Sequence, residues 1–245
     1  LWSGSHGLDR ICMLPGFPRF QRSCVLESHV LSGDMQWFYS RRKMKNRLLA
    51  QLPQHKTCLC SIYNPHLYIV DWKDYNKGAV EISGAQRNVI NAVHILNENN
   101  VKVFFDAFPE NALPITKKKR SRQCECVVFP ITCDQDEWIL FIETKYANSI
   151  HAAKNPDSDY PYCMVRQIKE TVSYFRMKGI ISENKIVHAI IAFPNLMEGF
   201  NSWVFPIKHD GIEESILDIR INDKIIIRAT NHAQIVDDTN ILLLS

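Results

Sequence analysis

The sequence predicts an α/β protein with a central mixed β-sheet and helices on both of its faces. Two runs, 123–129 (QCECVVF) and 138–145 (WILFIETK), are apolar, rich in β-branched and aromatic residues, and flank the polar turn PITCDQDE. That pattern is the signature of a β-hairpin. Residues 138–142 are apolar at every position, which marks a strand covered on both faces. After the hairpin, Val165, Ile168, Val172 and Phe175 recur at helical spacing over 164–178 before a strand-like run at 186–193.

In chain order, residues 1–34 carry no clear period and open with Leu-Trp-Ser-Gly-Ser-His-Gly, so they read as a leader, either foreign to the fold or poorly ordered, with Met13 or Met35 as a natural start. A single domain is expected over 35–245. Phe38 to Leu52 carries Arg41, Arg42, Lys43, Lys45 and Arg47, a run that serves as a solvated helix face or, less often, as a phosphate contact. Residues 58–72 read as two short strands around the Asn64-Pro65 turn. Ser83 and Gln86 form a capping box, and Ala85, Val89, Ala92, Val93 and Leu96 follow at helical spacing, which predicts a helix over 83–98. Val101 to Phe105 is strand-like, and a loop with Pro109, Pro114 and the basic run 117–122 (KKKRSR) leads into the hairpin. Further strands are expected near 203–207, 225–229 and 241–244.

Composition narrows the function only by exclusion. The chain has 245 residues, 46% hydrophobic and 22% charged, enough for one sizeable core. No apolar run approaches the roughly 18 residues of a membrane-crossing helix. A formal charge of +3 is too small to name a nucleic-acid partner by itself. The eight cysteines include Cys58/Cys60 and Cys124/Cys126 but no Cys-x-x-Cys. Four thiols meeting at one tetrahedral metal is the less expected outcome; buried, reduced thiols in a reducing compartment are the more expected one. The opening residues lack the charged region and apolar core of a signal peptide, so the expected location is cytoplasmic. There is no H-E-x-x-H, P-loop, G-x-S-x-G or G-x-G-x-x-G motif, and Cys163 has no partner visible in sequence.

The hairpin carries the chemistry. With its turn centred on Asp134, Phe129 faces Ile139, Val127 faces Phe141 and Glu125 faces Glu143. Carboxylates directly opposed across two strands repel, and something must offset that. Lys145, two residues beyond Glu143 and on the same face, neutralises part of the charge, and a divalent cation such as Mg²⁺, held by hard oxygen donors, would do the rest. An exposed Glu and Lys solubilising an edge strand is the bland alternative.

Glu125, then Glu143-Thr144-Lys145 closing the next apolar strand, then a helix bearing Gln167, resemble the core of the PD-(D/E)XK nuclease superfamily, the restriction-endonuclease-like fold, over roughly residues 80–195. The order helix, strand with the first acid, strand with acid-x-lysine, helix, strand is matched by helix 83–98, the hairpin, helix 164–178 and strand 186–193. The chain departs from the pattern with Glu125 where Asp is usual and no Pro-Asp before it, which fits either a variant or a disabled site. The resemblance implies Mg²⁺, or Mn²⁺ as a substitute, held by Glu125, Glu143, the Thr144 carbonyl and a further acid on the first helix, Glu81 rather than Glu98. It also implies Lys145 acting on the attacking water, Gln167 supporting the site, and DNA as the partner, with RNA left open.

Around the hairpin, Gln167, Thr171 and Tyr174 form a polar stripe beside the apolar one, and Arg166, Lys169, Arg176 and Lys178 give the helix a basic side that can face phosphates. Asp134, Asp136 and Glu137 read as solvated turn acids. The expected function is a metal-dependent endonuclease, restriction-type first, in which double-strand cutting is compatible with a homodimer. The competing class is a non-catalytic nucleic-acid- or protein-binding module on the same fold.

Overall fold

The computed structural model of the protein describes residues 43–73, 78–87, 90–116, 118–134, 136–196, 200–205, 216 and 218–244. Its elements in chain order are α1 (Met44–Gln51), β1 (Leu59–Ile62), β2 (His66–Asp71), β3 (Val80–Ser83), β4 (Val93–Leu96), β5 (Val103–Ala107), β6 (Cys126–Pro130), β7 (Leu140–Thr144), α2 (Ile150–Ala153), α3 (Tyr162–Met177), β8 (Val187–Ala192), α4 (Asn201–Val204), β9 (Ile225–Ala229), β10 (His232–Ile235) and β11 (Ile241–Leu243). The proposed leader, Met13, Met35, Arg41 and Arg42 lie outside the described residues.

Two mixed sheets form. The first runs β1-β5-β6-β7-β8-β9 and the second β11-β10-β4-β2-β3. In the first, β6 and β7 are antiparallel with Val127 opposite Phe141 and Cys126 opposite Ile142, the register that a turn at Asp134 dictates. β7 and β8 are parallel, as are β8 and β9. Every residue of β6 and β7 is buried, because apolar side chains leave both faces of these central strands.

The two faces are covered differently. On one, Val127, Phe129, Phe141, Ala189 and Ile191 pack with α1 and α3 through Met44, Leu48, Ile168, Val172 and Phe175. Phe175 meets Phe141 edge-on at 5.2 Å between ring centroids. On the other, Val128, Leu140, Ile142 and Ile190 pack with Leu67, Ile69, Val93, Ile95, Ala233 and Ile235 of the second sheet. The expectation of helices on both faces is therefore corrected: this second face is covered by a sheet.

The same correction removes the helix expected over 83–98. Val80 to Ser83 and Val93 to Leu96 are strands β3 and β4, and the Ser83 hydroxyl donates to the Ala85 carbonyl at 2.6 Å instead of capping a helix. Val93 and Ile95 are buried while His94 and Leu96 are partly exposed, a period of two that wins once β2 and β10 lie on either side. The strand expected at 203–207 is also corrected, since Asn201–Val204 is a short helix and 206–210 lie outside the described residues. The strands expected at 225–229 and 241–244 form as β9 and β11. β10 between them was not anticipated.

Helix α3 spans nearly the expected range and ends at Gly179, whose φ of 64° is the left-handed conformation that glycine adopts at a helix C-terminus. In α1, Lys45 lies 4.5 Å from the Phe104 ring centroid and Arg47 pairs with Asp134 at 2.8 Å, so these two cations anchor the helix instead of facing solvent. Among the described residues no helix is long and apolar enough to cross a membrane.

Candidate active site

Glu143 is the penultimate residue of β7, a strand buried along its whole length, and its side chain is fully buried with it. Glu125 immediately precedes β6 and is tied to the neighbouring strand, its amide donating to the Ile142 carbonyl at 3.0 Å. Lys145 follows β7, and its Nζ stands 2.5 Å from Glu143 Oε1 and 3.3 Å from Glu125 Oε1. The two carboxylates and the lysine picked out from sequence thus meet at one point, and Lys145 bridges the acids.

Burial dominates the electrostatics. It pushes the Glu143 carboxyl up to about 8, helped by the nearby Glu125 and Asp71 and opposed by Lys145. For Lys145, burial works against the ammonium, but Glu143 and Glu125 outweigh it and hold its pKa above the ordinary value. Glu143 Oε2 is buried with no hydrogen-bond partner among the described residues, as is the Thr144 hydroxyl. Such a carboxylate oxygen is a hard donor of the kind Mg²⁺ takes, so the donor chemistry fits that ion. Among the described residues no three His, Cys, Asp or Glu side chains are already arranged around a metal position.

Asp71 is a third acid, and sequence reasoning missed it. It closes β2, and its carboxyl is raised by burial and then by Glu125, with Lys145 and Lys73 acting in the opposite sense. The Lys73 amide donates to Asp71 Oδ1 at 2.9 Å, and Lys73 Nζ lies 3.9 Å from Glu125 Oε2. A signal was present: in both LYIVD and WILFIE an acid ends an apolar strand. Glu81 sits on β3, where its carboxylate accepts from the Trp72 indole at 3.0 Å and pairs with Arg87 at 3.2 Å. Glu98 is exposed beyond β4. Neither belongs to a helix.

A cleft of about 490 Å³ opens beside Glu125, lined by Lys73, Glu110, Arg120, Arg122, Gln123 and Gln167. A second, of about 270 Å³, is lined by Asp71, Lys73, Glu110 and Glu125. Glu125, Lys73 and Glu110 belong to both.

Helix α3 aims its polar stripe at the strand leading to Glu125. Gln167 Nε2 donates to the Gln123 carbonyl at 2.9 Å, Thr171 Oγ1 accepts from the Cys124 amide at 2.9 Å, and the Tyr174 hydroxyl donates to the Pro114 carbonyl at 3.2 Å. Gln167 is therefore both a wall of the cleft and a clamp on the segment that carries the first acid.

The basic side expected on this helix is engaged within the protein. Arg166 pairs with Asp159, Lys169 with Asp223 at 2.8 Å, Arg176 donates to the Lys185 carbonyl at 3.1 Å, and Lys178 lies over the Tyr174 ring. The cations that line the cleft come instead from β2's end and from the loop before β6. In that loop, Ser121 donates to the Leu113 carbonyl at 2.9 Å and Arg120 to the Thr116 carbonyl at 2.8 Å, which folds it back on itself; Lys117 lies outside the described residues.

The cysteine pairs do not converge. Cys60 is exposed on β1, Cys124 packs with the helices, and Cys126 packs toward the second sheet; all are free thiols. The chain matches no protein-family model, and no curated protein and no solved structure matches it.

Proposed function

We propose that this chain is a metal-dependent nuclease of the PD-(D/E)XK type that hydrolyses phosphodiester bonds of DNA, with a restriction-type endonuclease as the first subclass. The observation that carries the reading is the meeting of Glu125, Glu143 and Lys145, of which Glu125 also lines a cleft together with Lys73, Arg120, Arg122 and Glu110. Burying two acids against one lysine carries a desolvation cost of the kind found at functional sites; the unpartnered Glu143 oxygen suits a hard metal ion, and the cleft beside Glu125 suits a phosphate.

In this reading Glu143, Glu125 and the Thr144 carbonyl would hold Mg²⁺, with Asp71 as the further acid in place of Glu81. The ion, when bound, supplies a Lewis acid for the scissile phosphate. Lys145 would be the residue to orient the attacking water and steady the developing negative charge. Lys73, Arg120 and Arg122 take neighbouring phosphates, and Gln167 holds the 123–125 segment in register.

The contact of Lys145 with both acids also favours a second reading, a binding module in which the three charges satisfy one another. Cleavage assays on supercoiled, linear and single-stranded DNA with Mg²⁺, Mn²⁺ or EDTA separate the two. Metal-dependent cutting that falls at least a hundredfold in Glu143→Gln and Lys145→Ala supports the nuclease. No cutting of any substrate, together with no Mg²⁺ or Mn²⁺ binding that depends on Glu125 and Glu143, leaves the module.

A further inference from the structure

The outer face of the second sheet, turned away from the core, carries a cluster of rings that the acid site does not use. His232 on β10 lies opposite His94 on β4, and His94 lies opposite Tyr68 on β2, so three adjacent strands set their rings in a row. His66, two residues before Tyr68, shares its face. The rings stack on one another: His94 on Tyr68 at 4.8 Å and 15°, and His66 on His94 at 5.3 Å and 25°. His232 meets His94 edge-on at 6.0 Å. Stacked rings cover each other's faces, so this is a poor platform for a nucleobase. What they leave accessible is their edges, where the imidazole nitrogens are.

We propose that His66 and His94, with His232 as a third donor, form a binding site for a borderline divalent transition ion of the Zn²⁺ or Cu²⁺ class. His66 Nδ1 and His94 Nε2 are hydrogen-bonded to each other at 3.1 Å, and an arriving ion takes the place of the proton they share, which is released to solvent. Two nitrogens that far apart, each at the usual ~2.0–2.1 Å from one zinc ion, subtend an angle of about 100° at the metal, close to tetrahedral. The ring stack fixes both imidazoles before any ion arrives, which lowers the ordering cost of binding. Among the described residues no three side chains already converge on a metal position. The site is therefore a preformed pair: His232 completes it by a side-chain rotation, and water fills what remains. An all-imidazole donor set selects Zn²⁺ or Cu²⁺ over Mg²⁺, the opposite preference to that of the carboxylates at Glu125 and Glu143. This inference does not depend on the nuclease reading.

The test is titration of the full chain with Cu²⁺, read by electron paramagnetic resonance, and with Zn²⁺, read by competition with a chromophoric chelator, both in millimolar Mg²⁺. One Cu²⁺ per chain with two or three nitrogen couplings is expected. His66→Gln and His94→Gln should each weaken Zn²⁺ binding at least thirtyfold, His232→Gln about tenfold, and His151→Gln not at all. The substituted positions are on a solvent-facing surface, and an unchanged circular dichroism spectrum checks the fold. Binding of equal affinity and nitrogen count in the His66→Gln/His94→Gln double variant, or only oxygen donors in the spectrum, overturns the proposal.

Discussion

Lys145 Nζ lies 2.5 Å from Glu143 Oε1, and the carboxyl it touches is fully buried at the end of a strand with no exposed residue. The contact decides how the site behaves without a ligand, because the lysine is the cation that opposes the effect of burial on this acid. The pair is expected to control stability as a function of pH and to be disturbed by anything that competes for the carboxylate.

The first prediction concerns that pH dependence. The folded-state value of Glu143, about 8, lies above its ordinary 4.5. Stability from a group raised in this way is fully present below the ordinary value and is lost as the pH rises through the folded one. Between pH 6.5 and 8.5 the protein should lose on the order of 1–2 kcal/mol that Glu143→Gln does not lose. Urea denaturation midpoints of both proteins across that window check it, and parallel curves would refute it.

Lys145→Met tests the same pair from the other side. Without the cation the Glu143 carboxyl moves further up, so the cost is modest at pH 6, where the carboxyl is neutral in either protein. At pH 9 the substitution opposes an ionised buried acid, and the expected cost is about 3 kcal/mol. The double variant Glu143→Gln/Lys145→Met should recover most of that loss. A double-mutant cycle at the two pH values measures the coupling, and a coupling that is the same at both would contradict the assignment.

Asp71 separates the site in the folded protein from the one read in the sequence. Its carboxyl is electrostatically coupled to Glu125 and Lys145, whereas Glu81 is held by Trp72 and Arg87. Asp71→Asn should lower metal-dependent cleavage at least tenfold, and Glu81→Gln should leave it within twofold. Initial rates at saturating Mg²⁺ decide, and the reverse ranking would return the role to Glu81.

The hairpin was legible because everything that sets it is local: two runs apolar on both faces, one polar turn, and a register that follows from the turn. Glu125, Glu143 and Lys145 came together for that reason. The stretch 80–96 was misread because Ala85, Ala92, Val93 and Leu96 match a helical period while Val80/Ile82 and Val93/Ile95 match a strand period. Only the distant partners β2 and β10 settle the competition, a tertiary context that no window of sequence contains. Asp71 was missed for the same reason, since its nearness to Glu125 exists only once the second sheet packs on the first.

The cleft cations give the last prediction. Lys73 and Arg122 line the cleft beside Glu125; Arg122 is held to Glu170 at 3.7 Å, and both side chains are about half exposed. If they contact phosphates, each neutralises one backbone charge, and binding should weaken without regard to base sequence. Lys73→Ala and Arg122→Ala should each reduce the slope of log affinity against log salt by about 1. Lys169→Ala, whose cation is spent on Asp223, should leave the slope unchanged. Fluorescence anisotropy of a labelled duplex in EDTA, where no cutting occurs, gives the slopes directly. Equal slopes for all three variants would show that nucleic acid does not lie in this cleft, and would count against the role of the cleft cations on which the proposed function leans.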